Sequence, residues 1–154
     1  VSYYVGIDAG PSTGVVVLSV ELRSYEWSVF QCNGEAAFWL IQTIYDRFCP
    51  RMVAIEKFIP SNRAGGTGKD AELTRRIAHF ASDTAISIRR NPATFVRARS
   101  AAEVKPWATD KRLEKSGFPL GAKFKDARDA GRHALFAAVQ DGKETDPLAR
   151  AKWN

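Results

Sequence analysis

The sequence predicts an α/β fold, a mixed sheet with helices on both faces. Three observations lead there. The first part of the chain holds three strand-like stretches joined by short turns, which is the pattern of an antiparallel meander. Helical and strand-like periods then alternate, as in sheets with parallel strands. Finally, 154 residues, 45% apolar and 26% charged, suit one folded core rather than a disordered chain.

Taken in order, stretches at about 2–8, 13–20 and 25–31 are rich in β-branched and aromatic residues, with Gly10-Pro11-Ser12 and Leu22-Arg23-Ser24 at the joints. Between 35 and 48, Phe38, Ile41, Ile44, Tyr45 and Phe48 recur at helical spacing, and Cys49-Pro50 stops the helix. Residues 51–58 read as a short buried strand, and a polar, glycine-rich loop follows at about 59–69. A long helix over about 70–90 rests on Leu73, Ile77, Phe80 and Ala81. A strand at 94–98 leads to helices near 100–105 and 108–116. Gly117-Phe118-Pro119 breaks the chain before a last helix at about 124–140. Residues 1–140 therefore form the domain, and the polar stretch 141–154 is expected to be a loose tail.

Cys32 and Cys49 make at most one bridge and match no zinc-site spacing. No run approaches the ~18 apolar residues of a membrane span, and no basic-then-apolar leader opens the sequence, so a reducing, cytoplasmic compartment is the expectation. The four tryptophans, Trp27, Trp39, Trp107 and Trp153, are expected in the core or a dimer interface, with Trp153 left unassigned.

The net charge of +6 is unevenly placed. Residues 1–56 hold 3 basic and 6 acidic side chains, residues 57–133 hold 17 and 8, and residues 134–154 hold 3 of each. A middle segment with a balance of +9 points to an anionic partner, nucleic acid first among them.

Four carboxylates stand out against that background. Asp8 ends the first strand in Val5-Gly6-Ile7-Asp8-Ala9-Gly10. Glu56 lies in the otherwise apolar Met52-Val53-Ala54-Ile55-Glu56, on the face opposite Val53 and Ile55. Asp126 and Asp129, three apart, share one face of the last helix. Singly, each has an ordinary reading: a turn residue, an edge-strand charge, a solvated helix pair. Together they offer hard oxygen ligands from three segments without a cysteine cluster or histidine pair, which selects Mg²⁺ or Mn²⁺ over zinc. Two such ions about 3.5–4 Å apart can activate water and stabilise the leaving oxygen of a phosphodiester.

Gly6-Ile7-Asp8-Ala9-Gly10 with Thr13-Gly14, Ala54-Ile55-Glu56, Val104-Lys105 and Asp126-Ala127-Arg128-Asp129-Ala130 resemble, in order and spacing, the RuvC family of Holliday junction resolvases in the ribonuclease H-like superfamily. The resemblance covers about residues 3–140. It implies a five-stranded mixed sheet, three strands antiparallel and then two parallel, and a homodimer. It also implies Mg²⁺-dependent paired nicking of four-way DNA junctions, with Mn²⁺ able to substitute. Asp8, Glu56, Asp126 and Asp129 would be the metal ligands, Lys105 the lysine at the scissile phosphate, and Lys111 a second one. The family's aromatic wedge falls at Ile59 here, with Phe58 one residue earlier. Small, divergent members of this kind look like those carried by bacteriophages, acting in the bacterial host cytoplasm.

The remaining cations fit a phosphate-tracking surface: Arg63 and Lys69 in the glycine-rich loop, then Arg75, Arg76, Arg97 and Arg99. The loop is not a nucleotide site, because a P-loop needs glycine where Arg63 stands and Ser or Thr where Asp70 stands. His133, four residues after Asp129 on one helical face, could touch the site, but a packed or exposed histidine is the expectation. Two other functions remain open. A non-catalytic branched-DNA-binding relative would bind junctions without nicking them in Mg²⁺. An actin-like ATPase fragment, which the first glycine motif also resembles, would hydrolyse ATP alone.

Overall fold

The structure, a computed structural model, describes residues 1–58, 68–121 and 124–150, the last without its side chain. Strands β1 (Ser2–Asp8), β2 (Ser12–Glu21) and β3 (Ser24–Asn33) form the expected antiparallel meander. Helix α1 (Ala36–Phe48) follows and ends where Cys49 takes a left-handed conformation, φ 44°, with its N–H on the Tyr45 carbonyl. Strand β4 (Met52–Glu56) then pairs parallel to β1, and after helix α2 (Gly68–Ile86) strand β5 (Phe95–Arg99) pairs parallel to β4. The sheet order is β3-β2-β1-β4-β5, the five-stranded mixed sheet expected from the sequence. Strand β4 stops at Glu56, two residues short of the reading, because Glu56↔Arg99 is its last pairing with β5.

Alternation along the strands sorts the core into two layers. Val5, Ile7, Val15, Val17, Val53 and Ile55 face α1 and α2, where the buried Tyr45 hydroxyl donates to the Ala81 carbonyl at 2.8 Å and ties the two helices together. Tyr4, Val16, Leu18, Met52 and Ala54 face the last long helix, α5 (Lys125–Gln140). The short helices α3 (Ala101–Val104) and α4 (Asp110–Lys115) bridge β5 to α5, capped by the Ser100 and Thr109 hydroxyls.

α5 meets the sheet through small residues, Ala127, Ala130, Ala134, Ala137 and Ala138, all fully buried. Two glycines complete this close approach. A Cβ on Gly6 would lie 2.0 Å from the Ala130 carbonyl oxygen, and one on Gly14 would lie 2.2 Å from the Asp126 carbonyl carbon. The glycines beside Asp8 thus let the helix carrying the other two carboxylates lie directly on the strands.

The loose tail expected from residue 141 is ordered as far as the helix α6 (Pro147–Arg150). Its acids are bound to the domain. Asp141 takes Arg99 at 2.6 Å, Asp146 takes Arg112 at 3.2 Å, and Glu144 accepts the Tyr4 hydroxyl at 2.7 Å. Tyr25 donates to the Thr145 carbonyl. Trp27 packs edge-on to Phe118 and Trp107 edge-on to Phe136, whereas Trp39 is 73% exposed, which leaves of the two expected places only an interface. Trp153 lies outside the described residues, within which no helix is long and apolar enough to cross a membrane.

Candidate active site

The parallel register of β1 and β4 places Ile7 opposite Ile55, so Asp8 and Glu56 leave the sheet side by side at the ends of adjacent strands. Both carry the parity of Gly6 and Ala54 and so face α5. The helix brings Asp126 and Asp129 over them from its first turns, where the amide dipoles favour negative charge. The Phe124 cap residue of α5 bonds no free N–H of this helix end; Gln31 on β3 does so instead, its side-chain oxygen accepting from the Ala127 N–H at 3.3 Å.

Electrostatics confirm the convergence. Burial first, then the hydrogen bond and charge of Glu56 and the charges of Asp129 and Asp126, push the Asp8 carboxyl up to about 9. Burial opposes ionisation of Glu56 too, but hydrogen bonds from His133 and Asp8 and the charges of His133 and Lys105 outweigh it and bring its carboxyl down to about 2. Burial and the proximity of the two acids thus favour one proton shared between them. Burial raises Asp129 as well, against the pull of Lys105 and Arg132, whose Nζ and Nε lie 3.8 Å from its Oδ1. Among the described residues no three carboxylate, thiol or imidazole groups form a ready cage for an ion. The arrangement is a protonated anionic cluster, and its donors are the carboxylate oxygens that a hard divalent cation prefers.

Lys105, just past α3, belongs to this cluster through Asp129. Lys111 is exposed on α4 and, among the described residues, makes no hydrogen bond or ion pair with the carboxylates; Asp110 next to it takes the Arg132 guanidinium. The cations expected on a phosphate track divide. Lys69 is exposed in the first turn of α2, and Arg75 is exposed over the Phe58 ring, 5.7 Å from its centroid. Arg76 leans on Glu35 at 3.3 Å and on the Phe38 ring. Arg97 lies 3.8 Å from Asp141, still exposed. Arg99 is taken inward, its side chain 16% exposed, between Asp141 and the Phe136 ring at 4.8 Å. Arg63 and Ile59 lie outside the described residues.

Three contributors escaped the sequence reading. Arg132 follows Asp129 by three on α5, a spacing that signals an ion pair. Gln31 carries no local signal. Lys57 is exposed next to Glu56 at the mouth of a cavity of about 370 Å³, which Glu56, Phe58, Arg75, His79 and Val96 help line. His133 is 3% exposed and 3.4 Å from Glu56, so the packed position and the contact with the site hold together.

No protein-family model matches the sequence, and no curated protein does. Solved structures do match. Thermus thermophilus RuvC in complex with a Holliday junction substrate superposes with a TM-score of 0.68 at 19% identity, over 95% of this chain and 98% of that one. Another T. thermophilus RuvC structure gives 0.63 at 19% identity, over 90% and 95%. The yeast mitochondrial Holliday junction resolvase Ydc2 gives 0.55 at 16% identity, over 86% and 76%. Sheet order, the carboxylate-bearing strand ends and the helix laid across them thus occur in a chain with the ribonuclease H-like fold of the RuvC resolvases.

Proposed function

We propose that this protein is a metal-dependent, structure-selective DNA endonuclease that resolves four-way junctions by paired nicking. The observation that carries the reading is the meeting of Asp8, Glu56, Asp126 and Asp129 from two parallel strand ends and one helix, on the fold of junction resolvases. Those four residues would hold Mg²⁺, or Mn²⁺ in its place. A divalent ion there supplies Lewis-acid stabilisation and a more acidic water. The chain's own groups do the rest. Lys105, with its ammonium half-exposed beside Asp129, is placed to hold the charge of a phosphate entering the cluster. Lys57, Lys69 and Arg75 offer exposed cations on the Glu56 side for the backbone of a DNA arm. Arg99 is withdrawn from that role by Asp141. Two symmetric cuts need two such centres, so the active form is a homodimer on DNA of matching twofold symmetry. Both cysteines are free, in keeping with a reducing cytoplasm.

The test is nicking of a synthetic four-way junction in Mg²⁺, with a linear duplex of the same sequence as control. The parent protein cuts two strands of like polarity, and Asp8→Asn binds the junction with parental affinity but cuts at least 10³-fold more slowly, as expected when a ligand of the reacting centre is lost. Junction binding without cuts in Mg²⁺ assigns the protein to the non-catalytic binders instead.

A further inference from the structure

We infer that His133 is a positioning residue for Glu56, setting the orientation of that carboxylate from beneath the cluster without ligating an ion itself. The inference rests on the nuclease reading only for its consequence in cleavage; the placement stands on the geometry.

His133 is the one polar side chain that α5 buries, in a helix whose other buried residues are small or aliphatic. An imidazole taken out of water costs free energy unless it finds a partner. Among the described residues its hydrogen-bonding partner is Glu56, through Nε2 to Oε1 at 3.4 Å. One turn above it on the same helix, Asp129 faces the same cluster, so His133 approaches from the core side while the acids meet above. Nε2 is the nitrogen directed at the carboxylate, and the tautomer or imidazolium that carries a proton there donates to Oε1. A glutamate accepts at several lone-pair positions, so this bond leaves Glu56 free to meet Asp8 or a cation at the same time.

Such a donor does two things. It holds a side chain with three rotatable bonds in one rotamer, and it stabilises the ionised carboxylate against the burial that opposes it. Arg132, its Nε 3.8 Å from Asp129 Oδ1, adds opposite charge beside the other helix-borne acid. Glu56 is the last residue of the short strand β4; His133 supplies a restraint on its side chain from the buried face of a long helix packed on the sheet.

The experiment compares His133→Leu, His133→Gln and His133→Asn with the parent. Mn²⁺ binding to DNA-free protein is followed by water-proton relaxation enhancement, beside melting temperature and junction nicking across a Mg²⁺ series. Gln carries an amide nitrogen near the Nε2 position and keeps Mn²⁺ affinity within about threefold of the parent. Leu and Asn, without a donor at that reach, weaken it about 10–100-fold, and the Mg²⁺ needed for half-maximal nicking rises in parallel. If Leu does not fold, the Gln–Asn contrast decides alone. Equal Mn²⁺ affinity in all variants, equal loss in Gln and Asn, or a parent that binds no Mn²⁺ overturns the inference. A parent that binds Mn²⁺ with the Gln–Asn contrast intact, yet nicks no junction, supports it while refuting the nuclease reading.

Discussion

Replacing Gly14 by alanine tests the idea that glycine, and not only carboxylate, builds this site. Gly14 sits between Asp8 on β1 and Gln31 on β3 and faces the first turn of α5. The added methyl would lie 2.2–2.3 Å from the Asp126 carbonyl and the Ala127 nitrogen, backbone atoms that cannot rotate away. Restoring ordinary contact at 3.4 Å requires the helix end to retreat by about 1.2 Å, which also pulls the Ala127 N–H off Gln31. Overpacking of this kind costs about 1–3 kcal/mol. At roughly 2–4 °C per kcal/mol for a chain of this length, the melting temperature falls on the order of 3–10 °C. A displacement near 1 Å of Asp126 and Asp129 lowers the cleavage rate on the order of 100-fold. Junction binding, which depends on cations elsewhere, stays within a few-fold. Circular-dichroism melting, junction nicking and gel-shift affinity read the three quantities. Gly121→Ala is the control, since among the described residues no atom lies within 4 Å of where an added Cβ would sit. A Gly14→Ala protein that melts and cuts like the control refutes the reasoning.

The shared proton predicts how metal-free stability depends on pH. Burial and Glu56 raise Asp8 from 3.8 in the unfolded chain to about 9, so the folded state holds a proton that the unfolded state lacks across that interval. Stability in a chelator therefore falls as pH rises from 5 to 9, whereas Asp8→Asn flattens the slope and melts higher than the parent at pH 8; thermal melts across this range check it, and a flat parental profile refutes it. The arginines separate in the same way. Arg99→Ala, which leaves Asp141 only its longer contact with Arg97, lowers stability by about 1–3 kcal/mol in a urea titration, with little change in junction affinity. Arg75→Ala leaves the urea midpoint unchanged but weakens junction binding and lowers its salt slope by about 1.

What the sequence revealed was whatever local rules encode. Strand patterning put Asp8 at the end of β1 and set Glu56 opposite Val53 and Ile55, and the i, i+3 spacing paired Asp126 with Asp129; the parallel pairing of β1 with β4 that brings them together comes from the structure. The antiparallel meander was equally visible, since Pro11 and Ser24 mark its joints. Partnerships between distant residues were not. Arg99 looks like any surface cation until Asp141, 42 residues on, is seen to claim it. The segment after Gln140 reads as polar and loose because its acids have no local partners; the partners are Arg99, Tyr4 and Arg112. The Arg132–Asp110 pair beside Lys111 is another such contact, 22 residues apart and without a local signal.

The helix that completes the cluster follows all five strands in chain order, whereas Asp8 ends the first of them. Neither a nascent chain nor a partly folded molecule in which α5 is undocked can assemble the four carboxylates, however complete its sheet. Assembly of the cluster is thus a property of the docking step, and on the nuclease reading a copy whose last helix is undocked cannot cut.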